Sequence, residues 1–227
     1  MLTIDDVVIY VSTCKKRRKL ALAIRDTWAR GLSNVYFISD ENCSDLPNCI
    51  NLGVIYRNQL SIKTFMTLQY MRAYHGDKKW FVKVDDDSCL FVDAMLKALS
   101  QYDIDEPLYM GDIDNVIKHF GSSRQPIKWI GGGAVFLSRS CLHKLTTFLR
   151  RLPALEITFH EDCWLSDMLS KLEIFPTHLP GCHHFNTVEH FDTEVDAVSI
   201  HDLKGPKKLT RAYEKYSNAN AHHEHHS

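Results

Sequence analysis

The chain has 227 residues, 44% of them hydrophobic and 24% charged. These are ordinary globular values that exclude disorder, collagen and coiled coil for the whole chain, and the length suits one compact domain. With 27 Lys and Arg against 28 Asp and Glu the net charge is −1, so no global basic field recruits nucleic acid or anionic lipid, and specificity has to come from a local site.

The first apolar run, 7–11, reads as a buried strand; it is far too short for a membrane span and follows two acids rather than the basic stretch of a signal peptide. A basic run, Lys15-Lys16-Arg17-Arg18-Lys19, follows, which is either a solvated loop or an attractor for an anion. Leu20, Ile24 and Trp28 share one helical face. Residues 35–38 and 51–55 are the next strands. Ile62, Phe65, Met66, Gln69, Tyr70 and Ala73 fit a core-facing helix with Ser61 as its cap and Gly76 at its end. A strand at 80–84 runs into three aspartates, and Phe91, Met95, Leu96 and Leu99 mark a further helix.

The second half continues with strands at 108–111 and 134–138 and helices at 142–149 and 163–172. The latter is entered through His160, Glu161 and Asp162. A strand at 173–177, an irregular stretch at 180–196, a strand at 197–201 and a helix at 204–216 complete the pattern. This is an α/β class chain, with a mostly parallel sheet and helices on both faces. The domain is expected over 1–216, with 217–227 a disordered His-rich tail that binds metal only adventitiously. The seven cysteines include no CxxC pair, which disfavours a zinc ribbon. Cys43 and Cys49 lie in one polar loop, and could equally bridge in an oxidising compartment or remain thiols.

The chemistry concentrates at Asp85, Asp86 and Asp87. Open parallel sheets bind ligands beyond the carboxyl ends of their strands, and three carboxylates there repel one another unless a cation joins them. Asp85 and Asp87, two apart on an extended segment, point to one side and can share a divalent ion. Asp86 lies between them.

Several segments occur together in an order that resembles the β1,3-glycosyltransferases, the group that includes the β3-galactosyltransferases, core 1 synthases and Fringe enzymes. They are Ala23-Ile24-Arg25-Asp26-Thr27-Trp28, 58–66 with its Leu-Ser-Ile-Lys-Thr core, Phe81-Val82-Lys83-Val84-Asp85-Asp86-Asp87, Gly131-Gly132-Gly133 followed by Phe136-Leu137-Ser138, and Glu161-Asp162. The resemblance runs over about 12–204, and Val198-Ser199-Ile200-His201 is closest to the Fringe and core 1 branch.

The resemblance implies a GT-A fold, a single Rossmann-like domain, and an inverting transfer of a hexose or N-acetylhexosamine from a UDP-sugar to a glycan or glycoprotein acceptor with a β1,3 linkage. It implies Mn²⁺ held by Asp85, Asp87 and His201; a donor set that includes imidazole suits Mn²⁺ better than the harder Mg²⁺. Asp162 is implied as the base that deprotonates the acceptor hydroxyl, with Glu161 the alternative. Arg25, Lys63, Asp86 and Gly131, Gly132 and Gly133 are assigned to the donor. His183, His184, Phe185 and Asn186 could shape the acceptor pocket. A sugar-binding pseudoenzyme is the second reading and a metal-dependent nucleotidyltransferase or phosphohydrolase the third. The location is the Golgi lumen if the chain is the catalytic portion of an anchored protein, and cytoplasmic if it is complete.

Overall fold

The computed structural model describes residues 2–53, 57–117, 127–131, 133–155, 158, 160–183 and 197–223. In chain order its elements are β1 (Val7–Ser12), α1 (Arg18–Asp26), β2 (Val35–Ser39), β3 (Cys49–Asn51), α2 (Leu60–His75), β4 (Trp80–Asp85), β5 (Cys89–Leu90), α3 (Val92–Leu99), β6 (Tyr109–Gly111), β7 (Ile113–Ile117), β8 (Ile127–Ile130), β9 (Ala134–Ser138), α4 (Arg139–Leu149), α5 (Glu161–Ser170), β10 (Pro176–His178), β11 (Cys182–His183), β12 (Ser199–Ile200) and α6 (Pro206–His223).

Seven strands form one sheet in the order β10-β6-β9-β4-β1-β2-β3. Only β9 opposes the rest, pairing antiparallel with β4 and β6. β1 lies inside the sheet between β4 and β2 with its five apolar residues buried, which is why they form an unbroken run rather than an alternating one. Its pleat divides them: Val7, Ile9 and Val11 join the core beneath α1, α3 and α6, whereas Val8 and Tyr10 join the core beneath α2, α4 and α5. Each face of the sheet is thus covered by helices, the layout expected from the sequence.

Several boundaries differ from expectation, each for a local reason. The third strand is Cys49–Asn51 rather than 51–55, because β3 pairs with β2 only from Phe37 to Ser39; residues 54–56 lie outside the described residues. Ser61 is not a cap, since α2 begins at Leu60. Its hydroxyl instead accepts the Thr158 amide at 2.9 Å, while its own amide donates to the Thr158 carbonyl, tying α2 to the segment before α5. α4 begins at Arg139, where the Ser138 hydroxyl accepts the Cys141 amide and caps it. The segment 173–175 turns through a left-handed Glu173 before β10 begins. The terminal helix continues to His223.

Small sheets then carry the functional end. β12 pairs antiparallel with β5, Ser199 opposite Leu90 and Ile200 opposite Cys89, and parallel with β11. Through this pairing residues late in the chain meet the loop that follows β4. No described helix is long and apolar enough to cross a membrane.

Candidate active site

The carboxyl ends of β1, β2 and β4 lie along one edge of the sheet, and β9 begins at the same edge because it runs the other way. Asp85 closes β4 beside Ser12 of β1, and its amide donates to the Gly133 carbonyl at 2.9 Å. The loop 86–88 is fixed on two further sides: Trp28 Nε1 donates to the Ser88 carbonyl at 3.1 Å, and the Leu203 amide donates to the Asp87 carbonyl at 2.9 Å. These contacts hold an acidic triplet in place that would otherwise relax apart.

Asp85, Asp87 and His201 converge, each offering a ligand atom within 4.8 Å of the others, and His201 Nε2 lies 3.3 Å from Asp87 Oδ1. Two carboxylates and an imidazole are a donor set for a divalent ion of intermediate hardness. Nearby, Ser88 Oγ is buried without a hydrogen-bond partner among the described residues. A polar ligand is what such an atom needs. The donor chemistry and the orphaned hydroxyl both fit a bound cation with its oxygen ligands.

Gly133 packs directly against His201. Its φ is +94°, and a Cβ built on it would lie 2.7 Å from the His201 Cβ. Only glycine satisfies both the backbone conformation and this approach. Gly131 donates its amide to the Asp112 carbonyl at the end of β6, and Gly132 lies outside the described residues. Gly133 therefore permits close packing beside the acidic cluster.

The protein's own cations neutralise the triplet. Arg17 is half-exposed and spans two acids, with Nε 2.6 Å from Asp86 Oδ1 and Nη2 2.7 Å from Asp87 Oδ2. Burial penalises the charged form of Asp87, but hydrogen bonds from His201 and Arg17 outweigh it and hold the carboxyl well below the usual range. For Asp86 burial prevails over the Arg17 charge and pushes the pKa up to about 7. The basic run before α1 thus contributes one residue directly to the cluster.

Lys83 provides the second link. It lies two residues before Asp85 on β4, so both side chains emerge on the same face of the strand. Its ammonium is 2.9 Å from Asp85 Oδ1 and 3.7 Å from Glu161 Oε1. Burial opposes the charged form of Lys83, yet Asp85, Glu161 and Asp162 together raise its pKa above the ordinary lysine value. Burial also opposes ionisation of Asp85, and Lys83 reverses that effect and keeps the carboxyl below its ordinary range.

Asp162 and Glu161 occupy the first turn of α5. The helix dipole favours negative charge there. Burial and the neighbouring Glu161 nevertheless push Asp162 up to about 8, and burial raises Glu161 as well despite Lys83. The structure so brings the acidic pair of α5 to the acidic end of β4 across one shared lysine.

The remaining sequence-assigned residues are placed as follows. Lys63 is buried on α2 and donates to the Thr13 carbonyl; burial lowers its pKa against the pull of Asp86. It stands next to the cluster. Arg25 does not join it: its guanidinium forms a paired contact with Asp26 at 2.7 and 2.8 Å and donates to the Asp45 carbonyl at 2.7 Å. His183 accepts the His201 amide through its carbonyl, and His184, Phe185 and Asn186 lie outside the described residues. Arg17 and Lys83 are the residues whose roles sequence reasoning did not place. Period-two alternation along β4 contains the signal for Lys83, whereas Arg17 is one of five adjacent cations and only the fold distinguishes it.

The α/β fold with one opposing strand is similar to that of a solved glycosyltransferase. A crystal structure of a glycosyltransferase involved in the glycosylation of the major capsid of PBCV-1 matches it with a TM-score of 0.53, covering 92% of this chain and 98% of that one at 15% identity. The chain itself belongs to the Fringe-like family, whose model matches residues 2–224. It is 26% identical over 190 residues to a β-1,3-glucosyltransferase of Mus musculus, covering 82% of this chain and 37% of the relative. It is 29% identical over 160 residues to the β-1,3-N-acetylglucosaminyltransferase lunatic fringe of Danio rerio, covering 63% and 42%. The chain spans about two fifths of the length of these curated relatives.

Proposed function

We propose that this chain is an inverting, Mn²⁺-dependent glycosyltransferase that moves a hexose or N-acetylhexosamine from a UDP-sugar to a glycan or glycoprotein acceptor in β1,3 linkage. The observation that carries the reading is the meeting of the Asp85, Asp87 and His201 cluster with the α5 acids across Lys83. The β-1,3 relatives support the linkage, and the donor set supports the ion.

In this reading Asp85, Asp87 and His201 hold the cation and Asp162 accepts the proton of the attacking hydroxyl. A divalent ion bound there supplies charge that stabilises the departing diphosphate. Lys83 keeps Asp85 ionised and fixes it relative to α5. Arg17 and Lys63 lie beside the same carboxylates and favour an anionic donor. Asp86 shapes the cluster through Arg17, and the glycine run lets the backbone approach the donor closely.

The test is a titration of uridine diphosphate with and without Mn²⁺, followed by donor hydrolysis across UDP-galactose, UDP-glucose, UDP-N-acetylglucosamine and UDP-N-acetylgalactosamine. Binding that strengthens at least tenfold with Mn²⁺ and selective hydrolysis of one donor are expected. Equal affinity in both conditions would remove the cation from the proposal, and cation-dependent binding with no turnover on any donor or acceptor would favour the pseudoenzyme.

A further inference from the structure

The loop between β2 and β3 carries a pair of thiols outside the site described above. Cys43 Sγ lies 3.7 Å and Cys49 Sγ 3.6 Å from the same acceptor, the Glu41 carbonyl oxygen. Cys43 is buried at one end of a turn closed by the Leu46 amide donating to its carbonyl at 3.2 Å, and Cys49 opens β3 opposite Phe37. Both ends of the loop are therefore held with the sulfurs facing one point. Cys89, Cys141, Cys163 and Cys182 are buried within the cores and belong to other elements.

The loop also supports the basic run. The Lys15 amide donates to Asp40 Oδ1 at 2.7 Å and the Lys15 ammonium lies 3.4 Å from Glu41. Arg18 makes a paired contact with Asp45 at 2.6 and 3.1 Å, and the Asp45 carbonyl accepts from Arg25. Arg17 lies within that framework.

We infer that Cys43 and Cys49 are an oxidisable pair, a disulfide site that fastens the β2–β3 loop when the chain meets a small-molecule disulfide such as oxidised glutathione. A thiolate of the pair attacks the oxidant and breaks its S–S bond, releasing one reduced thiol. The second protein thiolate then displaces the other half, which leaves as a second thiol. A Cys43–Cys49 bond forms, the oxidant gains two electrons, and the two protein protons end on its thiols. Burial pushes the Cys49 thiol up to about 11, so exchange is slow near neutrality and is run in mild alkali. The site is independent of the catalytic reading.

The sequence provides a direct assay. Tryptic cleavage leaves both cysteines in one peptide, 31–57, while cleavage before Asp45 separates them. The full chain incubated with oxidised glutathione should yield a 31–57 peptide lighter by two hydrogens. Its halves should remain joined after cleavage at Asp45 until a reductant is added. Closing this short loop should raise Tm by roughly 4–8 °C. That rise should vanish in Cys43→Ala and Cys49→Ala, each compared with its own reduced form. Glutathione adducts without the link, a bridge to Cys14, or no oxidation would overturn the site. A link formed with no change in Tm would overturn the fastening role.

Discussion

Replacing Lys83 by Met tests whether one buried ammonium supports two acidic elements. The variant keeps the volume of the stem but removes a charge that lies 2.9 Å from Asp85 and 3.7 Å from Glu161. At an effective dielectric of about 20 these contacts correspond to roughly 6 and 4 kcal/mol of Coulomb attraction, much of it offset by desolvation. Removing one partner of a buried pair costs about 3–5 kcal/mol, or a fall in Tm of roughly 6–20 °C for a domain of this size. The pH dependence carries the sign. Without Lys83 the buried carboxylates have folded pKa values raised above their unfolded ones, so the deficit is largest at neutral pH and narrows as acid protonates them. A divalent cation should also stabilise the variant more than the parent, because a competing positive charge beside Asp85 has gone. Differential scanning fluorimetry at pH 5 to 8, with and without MnCl₂, reads all of this. A variant within 2 °C of the parent, or one whose deficit grows toward acid, would refute the buried pairing; equal stabilisation of both proteins by Mn²⁺ would refute the link to the cation cluster.

Other perturbations test neighbouring steps. Asp162→Asn should retain Mn²⁺-dependent nucleotide binding while transfer falls by about 10²- to 10⁴-fold, measured as turnover against affinity. Gly133→Ala forces a Cβ toward His201 at a left-handed position, and should cost roughly 1–3 kcal/mol and weaken Mn²⁺ binding by calorimetry, whereas Gly31→Ala, with open space around it, should cost stability without affecting the ion. His75 packs against Tyr36 at 4.6 Å, with Tyr10 and Tyr70 farther out and Asp77 and Lys78 nearby, and burial lowers its pKa. The unfolded chain then takes up a proton before the folded one does. Stability should fall as pH drops from about 6.5 toward the folded pKa, and His75→Phe should flatten that part of a Tm profile.

The sequence was most informative where one element's own pattern decides its structure. The double burial of β1 and the apolar strand running into Asp85 are local signals, and they locate both the sheet and the acidic end of its central strands. β5, by contrast, is two residues long with no period to read, and β12 is only Ser199–Ile200 of the strand expected over 197–201. Their pairing places His201, which the chain's alternation alone does not bring near Asp87. Arg25 shows the opposite limit: its motif was legible, but Asp26 and the Asp45 carbonyl, the latter brought close by tertiary packing, hold its guanidinium. Ser61 likewise has the composition of a cap, and the Thr158 backbone claims it instead.

The β5–β12 pairing bears on how the protein is made as well as on what it binds. Asp85 and Asp87 emerge from synthesis well before His201, so the acidic loop must wait for a segment more than a hundred residues later to complete its ligand set. A cation that engages all three ligands would act as a latch between early and late segments, with backbone amides around residues 199–203 exchanging hydrogen more slowly once it is bound. Assembly of this centre would then report that the β5–β12 pairing has formed.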